Sequence, residues 1–200
     1  MVEILGDQQN FYNNNGMYHY YNHNLDENST VIELGGNIGA WVDEMINRFN
    51  PNFYIIEPLE HYYNLLCNKY SGKRVQLLQV AIGPEKRTGV IYHNDVGSSR
   101  HVETGTAEQV EFVTPEWLLE QWNLPHVDLL QINIEGDEYD LLEHMIATGV
   151  VSKFRSIQVQ FHIVGSDPVG RRTNIQQGLA AAGFTQKYNF DFVWEAWTQK

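Results

Sequence analysis

One run constrains this chain more than any other. Val31-Ile32-Glu33-Leu34 reads as a buried apolar strand with an acid near its end, and Gly35-Gly36-Asn37-Ile38-Gly39 follows as a glycine-rich turn. The amphipathic stretch from Ala40 to Phe49 predicts a helix, and Phe53-Tyr54-Ile55-Ile56 predicts a second strand that stops at Glu57. Strand, turn, helix and strand make one parallel βαβ unit. Glycines let the backbone of such a turn pass close to a ligand, where a Cβ would clash or forbid the angles needed. An acid about twenty residues past the turn stands where a carboxylate takes ribose hydroxyls. The unit therefore predicts a nucleotide-type cofactor site.

The spacing selects among cofactors. A dinucleotide fingerprint needs G-x-G-x-x-G, so that a pyrophosphate can sit on the helix N-terminus. Here the glycines run G-G-N-x-G, with Glu33 two residues before the first of them. A carboxylate at the mouth of the turn repels a pyrophosphate and suits a cation. S-adenosylmethionine, with its sulfonium, amino group and ribose diol, fits Glu33 and Glu57 better. An NAD-dependent oxidoreductase would reuse Glu57 but lacks the fingerprint.

The chain has 200 residues, 13 basic and 25 acidic, for a formal charge of −12. That length fits one domain with a substantial core. The acidic balance argues against nucleic acid or anionic lipid as a partner, since both require a basic footprint. Cys67 is the only cysteine, so no internal disulfide forms, and its setting in Leu65-Leu66-Cys67 reads as helix packing. No basic-then-apolar leader and no membrane-length apolar run are visible, so the expected address is cytoplasmic. His19 and His23 have i, i+4 spacing, but their Tyr- and Asn-rich neighbourhood favours a stacking or solvated role, and no metal is expected.

Residues 1–28, rich in aromatics, Asn and His, read as an N-terminal extension that docks on the domain as a possible lid; residues 29–200 read as the cofactor-binding domain. From residue 30 strand-like and helix-like runs alternate, which predicts a doubly wound, mostly parallel α/β sheet. After a helix at 59–70, residues 75–82 form a third strand. Short strands at 90–92 and 110–113 flank a polar loop at 94–109. Thr114 caps a helix opening Pro115-Glu116. Residues 127–134 form a fourth strand, 137–148 a helix, 156–162 a fifth strand and 169–182 a helix. Residues 184–188 and 192–197 permit an antiparallel edge hairpin at the C-terminus.

With these elements in place, the chain resembles the FkbM-like class of S-adenosylmethionine-dependent methyltransferases. Glu33-Leu34-Gly35-Gly36-Asn37-Ile38-Gly39 is similar to the family's acid-x-Gly-Ala-Asn-x-Gly turn, with Gly36 for Ala. Ile56-Glu57-Pro58 resembles the end of its second strand, and Gln79-Val80-Ala81-Ile82-Gly83 its Asn-x-Ala segment near the adenine. Ser98-Ser99 matches a Ser pair. Val127 to Glu138 is similar to Asp-x-Leu-Lys-Ile-Asp-x-Glu-Gly-x-Glu, with Gln131 for Lys and Asn133 for Asp. The likeness covers about residues 30 to 165. It implies a seven-stranded Rossmann-like sheet and S-adenosyl-L-methionine as cofactor. Cofactor contacts are implied for Glu33, Gly35, Gly36, Asn37, Gly39, Glu57, Pro58, Ala81 and Asn133. Asn133 can accept a hydrogen bond from the cofactor's amino group but is no base.

Methyl transfer is an in-line displacement at carbon, so positioning dominates, and a hydroxyl acceptor also needs a base. Glu135, just past the fourth strand, and His162, at the end of the fifth, are the catalytic candidates. Asp137 and Glu138 read as first-turn helix charges. The likeness implies transfer to oxygen on a small-molecule or glycan acceptor, with N-methylation and cofactor binding without turnover as rival readings. Oligomeric state is not legible.

Overall fold

The computed structural model describes residues 7–94, 97–99 and 105–199, with Asn94 and residues 97–99 by backbone alone. Two six-residue helices come first, α1 (Gln8–Asn13) and α2 (Gly16–Tyr21). The βαβ unit follows as β1 (Thr30–Leu34), α3 (Ala40–Arg48) and β2 (Asn52–Ile56), then α4 (Glu60–Lys69) and β3 (Val75–Leu78). Next come β4 (Ala81–Ile82), β5 (Arg87–Asn94), β6 (Gly97–Ser99) and β7 (Thr106–Val113). The chain closes with α5 (Pro115–Gln121), β8 (Leu129–Ile132), α6 (Glu138–Thr148), β9 (Ser156–Val159), α7 (Pro168–Ala181), β10 (Phe184–Phe190) and β11 (Trp194–Gln199).

The main sheet has seven strands in the order β10-β11-β9-β8-β1-β2-β3. Five are parallel neighbours, and β11 runs antiparallel to both β9 and β10. The expected doubly wound sheet with its C-terminal antiparallel hairpin is what the chain forms. Alternation along β1 sorts its side chains to two layers. Ile32 and Leu34 face a core built with Leu118, Leu142 and Leu179 of α5, α6 and α7. Val31 faces Trp41, Val42 and Leu66 of α3 and α4. Burial on both faces is why the central strands read as near-continuous apolar runs. Strand order reverses at β1, whose neighbours are β2 and β8, so a crevice opens beyond the carboxyl ends of β1 and β8.

Two expectations change between β3 and α5. The third strand divides: β3 leaves the main sheet at Leu78, and β4 pairs in parallel with β7 instead. Ala81 buries there against Leu59, Ile91 and Phe112. The stretch expected as a loop, 94–109, is partly strand, since β5 and β7 pair antiparallel from Arg87↔Phe112 to His93↔Thr106. With β4 and β6 they form a second, four-stranded sheet. Thr106 to Gln109 carry no buried side chain, so this part of β7 lacks the apolar alternation that marks a strand; burial begins only at Val110. Thr114 caps α5 as expected, its hydroxyl accepting from the Trp117 N–H.

Among the described residues of the N-terminal segment, 7–28, none lines the crevice. The segment lies on the sheet face instead. Phe11 packs edge-on to Phe190, and Tyr20 sits 4.7 Å from the Trp194 ring. The Asp7 N–H donates to the Asp191 carbonyl. Beneath it runs a buried polar row across three strands, Glu33, Gln131 and Gln158 in register. Gln158 donates to Gln131 at 2.6 Å, Gln131 donates to the Tyr20 hydroxyl, and Tyr188 donates to Gln158. At Gln131, where the resembled family has Lys, an amide both donates and accepts and so links its neighbours in the row. His19 stacks on Tyr188, and the His23 ring bonds the Tyr20 carbonyl oxygen. Cys67 is half-buried on α4. No helix among the described residues is long and apolar enough to cross a membrane.

Candidate active site

The crevice at the reversal point holds a cavity of about 250 Å³, lined by Gly35, Asn37, Ile56, Glu57, Pro58, Tyr62, Ala81, Ile82, Ile91, Asn133, Ile134, Glu135 and Asp137. Backbone bonds hold its floor. The Gly35 and Gly36 N–H groups donate to the Ile56 carbonyl, and the Asn133 N–H donates to the Leu34 carbonyl. Gly35 has φ +88°, and a Cβ on it would lie 2.2 Å from the Asn133 carbonyl oxygen, so only glycine lets β1 and β8 meet here. At Gly36 a Cβ would fall 2.6 Å from Ile55 and 2.8 Å from Leu66, which accounts for glycine in place of the family's Ala. Asn37 takes the left-handed region at φ +45°, which Asn tolerates.

Glu57 is buried at the end of β2, its carboxylate accepting from the Asn37 N–H at 2.8 Å and the Leu59 N–H at 3.0 Å. Burial holds its carboxyl above the ordinary carboxylate value, although those two N–H bonds pull the other way. The Asn133 side-chain oxygen is buried with no hydrogen-bond partner, and Asn133 lines the cavity. A ligand amino group would satisfy it.

Glu33 does not line the cavity, contrary to the sequence reading. The pleat is the reason: Glu33 shares the face of Val31, in register with Gln131, and is buried under the α3 side of the sheet. Burial, with the nearby Glu57 charge, holds its carboxyl well above the ordinary value. Gly36 and Gly39 also stand outside the lining and shape the turn from behind. The Tyr70 hydroxyl donates to the Gly39 carbonyl at 2.8 Å, and Lys69 donates to the Ile38 carbonyl at 2.7 Å. These two holders of the turn escaped sequence reading because they lie a helix away, with no local motif to mark them. Tyr62 and Ile91, which join the apolar end of the cavity, escaped for the same reason. The side chains of Ser98 and Ser99 lie outside the described residues.

Beyond β8 the chain turns through two left-handed residues, Glu135 at φ +55° and Gly136 at φ +116°. A glutamate held there stores roughly 1–3 kcal/mol, strain of a kind that gathers at functional sites. Asp137 sits at the N-cap of α6 without capping it and lines the cavity instead. His162 is outside the lining and reaches the cavity only through Glu135, with Nε2 3.3 Å from a Glu135 oxygen and Nδ1 3.2 Å from Glu138. Burial opposes charge on this ring, but the hydrogen bonds to Glu135 and Glu138 prevail and raise its pKa to about 10. At neutral pH the ring is therefore an imidazolium, not the base its sequence position implied.

That shift has a stability consequence. A pKa raised from 6.5 in the unfolded chain to about 10 in the folded one adds stability that is whole below pH 6.5 and lost as pH rises towards 10. Urea unfolding between pH 6.5 and 10 is expected to show this decline in the wild type, and a flatter profile in His162→Gln. Identical slopes would contradict it.

No family model and no curated protein matches the chain. Solved structures do. The chain is similar to a fibrillarin/Nop5p complex structure at TM-score 0.58, with 11% identity over 92% of this chain and 79% of that one. It is similar to magnesium protoporphyrin IX methyltransferase from Synechocystis PCC 6803, solved with bound S-adenosylmethionine, at TM-score 0.52 and 10% identity, over 97% and 80% of the two chains. It is also similar to a putative rRNA-methylase from Clostridium thermocellum at TM-score 0.51 and 10% identity, covering all of both chains. The chain thus has the Rossmann-like fold of S-adenosylmethionine-dependent methyltransferases. The narrower expectations about partners are corrected by these structures. A small-molecule or glycan acceptor, and the exclusion of nucleic acid on charge, do not follow. The same sheet occurs in a putative rRNA-methylase and in a complex with a protein partner. A total of −12 describes the whole surface, not the patch at a site.

Proposed function

We propose that this chain is a methyltransferase that binds S-adenosylmethionine in the cavity beyond β1 and β8. The observation that carries the reading is a pair of acceptors in one cavity, past the ends of the two strands that flank β1. Glu57, placed by the Asn37 and Leu59 N–H groups, suits the ribose diol; the unpartnered Asn133 oxygen suits the amino group of the methionine part. Between them the turn at Gly35 leaves the backbone bare, and Ala81, Ile82, Ile91 and Tyr62 offer the adenine an apolar end. When bound, the cofactor supplies an activated methyl on a sulfonium; the chain's residues orient it and exclude water from its flanks.

S-adenosylhomocysteine is expected to raise the melting temperature of the wild type, whereas NAD leaves it unchanged. The reverse pattern would sink the proposal. Glu57→Ala is expected to weaken S-adenosylhomocysteine binding by about 1.5–3 kcal/mol, roughly 10- to 150-fold by calorimetry, through loss of charge-assisted bonds to the diol. Unchanged affinity would remove the ribose assignment. We direct the transfer to oxygen on the motif likeness to FkbM-like enzymes. Methylated amines in place of methyl ethers, among products from labelled cofactor and hydroxyl- and amine-bearing acceptors including RNA, would overturn that choice.

A further inference from the structure

The turn after β8 and the end of β9 form a unit that cofactor binding leaves unexplained. Glu138 is fully buried: one oxygen accepts from the His162 backbone N–H at 2.6 Å and faces Nδ1 of the same residue, and the other accepts from the Gly136 N–H at 2.8 Å. The Tyr139 hydroxyl donates to the His162 carbonyl at 2.7 Å, so the backbone of His162 is held from both sides. Its ring then stands between two carboxylates, with Nδ1 towards Glu138 and Nε2 towards Glu135. A ring with a carboxylate oxygen at each nitrogen carries a proton on both. His162 is thus a fixed cation whose free end points at Glu135, and Glu135 lines the cavity from a left-handed backbone that nothing in its own sequence favours. Glu57 has its oxygens on backbone N–H groups beyond β2, and Asn133 cannot carry charge.

We infer that Glu135 is the anion set beside the transferring methyl group, and that His162 and Glu138 are positioning residues that hold it there. The inference rests on the S-adenosylmethionine reading above. The acceptor's lone pair forms the bond to the methyl carbon while the carbon–sulfur bond breaks and its electron pair stays on sulfur. The acceptor's proton passes to a Glu135 oxygen, so the positive charge of the sulfonium and the negative charge of the carboxylate disappear together. The Glu135 side chain is 38% exposed, so the proton then leaves to water.

Sinefungin, which carries an amine-bearing carbon where the cofactor has sulfur and methyl, tests this without an acceptor. Its affinity is read against that of S-adenosylhomocysteine in the same variant, so that general damage to the pocket cancels. The wild type is expected to prefer sinefungin by about tenfold, the worth of a charge-assisted bond. Glu135→Gln brings the ratio to about one, His162→Gln and Glu138→Gln lower it in part, and Asp137→Asn leaves it standing. In parallel, the His162 ring nitrogens of the wild type give imidazolium 15N signals at pH 8, and those of Glu138→Gln do not. A ratio unmoved by Glu135→Gln, or one abolished by Asp137→Asn alone, overturns the inference. Failure of the wild type to bind S-adenosylhomocysteine at all would instead remove the functional reading beneath it.

Discussion

Arg172→Ala is expected to unfold about 3–5 kcal/mol more easily than the wild type, measured by urea titration at neutral pH. Arg172 of α7 is 8% exposed and Glu195 of β11 is 1% exposed, so this pair is out of water. The guanidinium reaches one Glu195 oxygen through Nε at 2.9 Å and a terminal nitrogen at 2.6 Å, and lies 3.0 Å from Asp191. Gln176 and the Trp197 indole also donate to Glu195. Removing the arginine leaves a buried carboxylate with neutral partners only, and the desolvation already incurred is no longer offset. The effect falls on the joint between α7 and the terminal hairpin. Adding Glu195→Gln should recover much of the loss, because it withdraws the unpaired charge while keeping an acceptor for Trp197. A loss under about 1 kcal/mol would mean that water reaches the pair.

Gly35→Ala is expected to abolish measurable S-adenosylhomocysteine binding, a loss of more than about 100-fold or about 2.7 kcal/mol by calorimetry. The new Cβ meets the Asn133 backbone oxygen at 2.2 Å, and the residue must also hold φ +88°. A flexible side chain could swing aside, but here the obstacle is the backbone at the end of β8. Relief therefore separates the turn from Asn133 and spreads the two walls of the cavity. Binding within about tenfold of wild type would show that the β1–β8 seam yields more easily than its hydrogen bonds suggest.

Much of the fold was legible because its signals are local. Apolar-rich runs with glycine or acid at their ends marked β1, β2 and β8, and the Thr114-Pro115 pair marked the start of α5. The β5–β7 arm was read only at its apolar ends, because Thr106 to Gln109 carry no buried side chain and so lack the apolar alternation that marks a strand. At the site, Gly35, Asn37, Glu57, Pro58, Ala81, Asn133 and Glu135 do meet around one cavity. Their nearness follows from strand order, which local pattern does not contain. Glu33 was misjudged by a single step of the pleat: lying near the turn in sequence does not turn a side chain towards it.

The sequence by itself determined which segments become strands and helices, where the chain turns through glycine, and that an acid closes the second strand, because propensity and periodicity act within a few residues. The tertiary structure alone decided that the N-terminal segment covers a polar row on the sheet face, that Glu33 turns away from the crevice, and that His162 is a cation between two glutamates. Those outcomes depend on burial and on charges brought together from elements 24 or more residues apart, as between Glu138 and His162, and a charge takes its state from what the fold places around it.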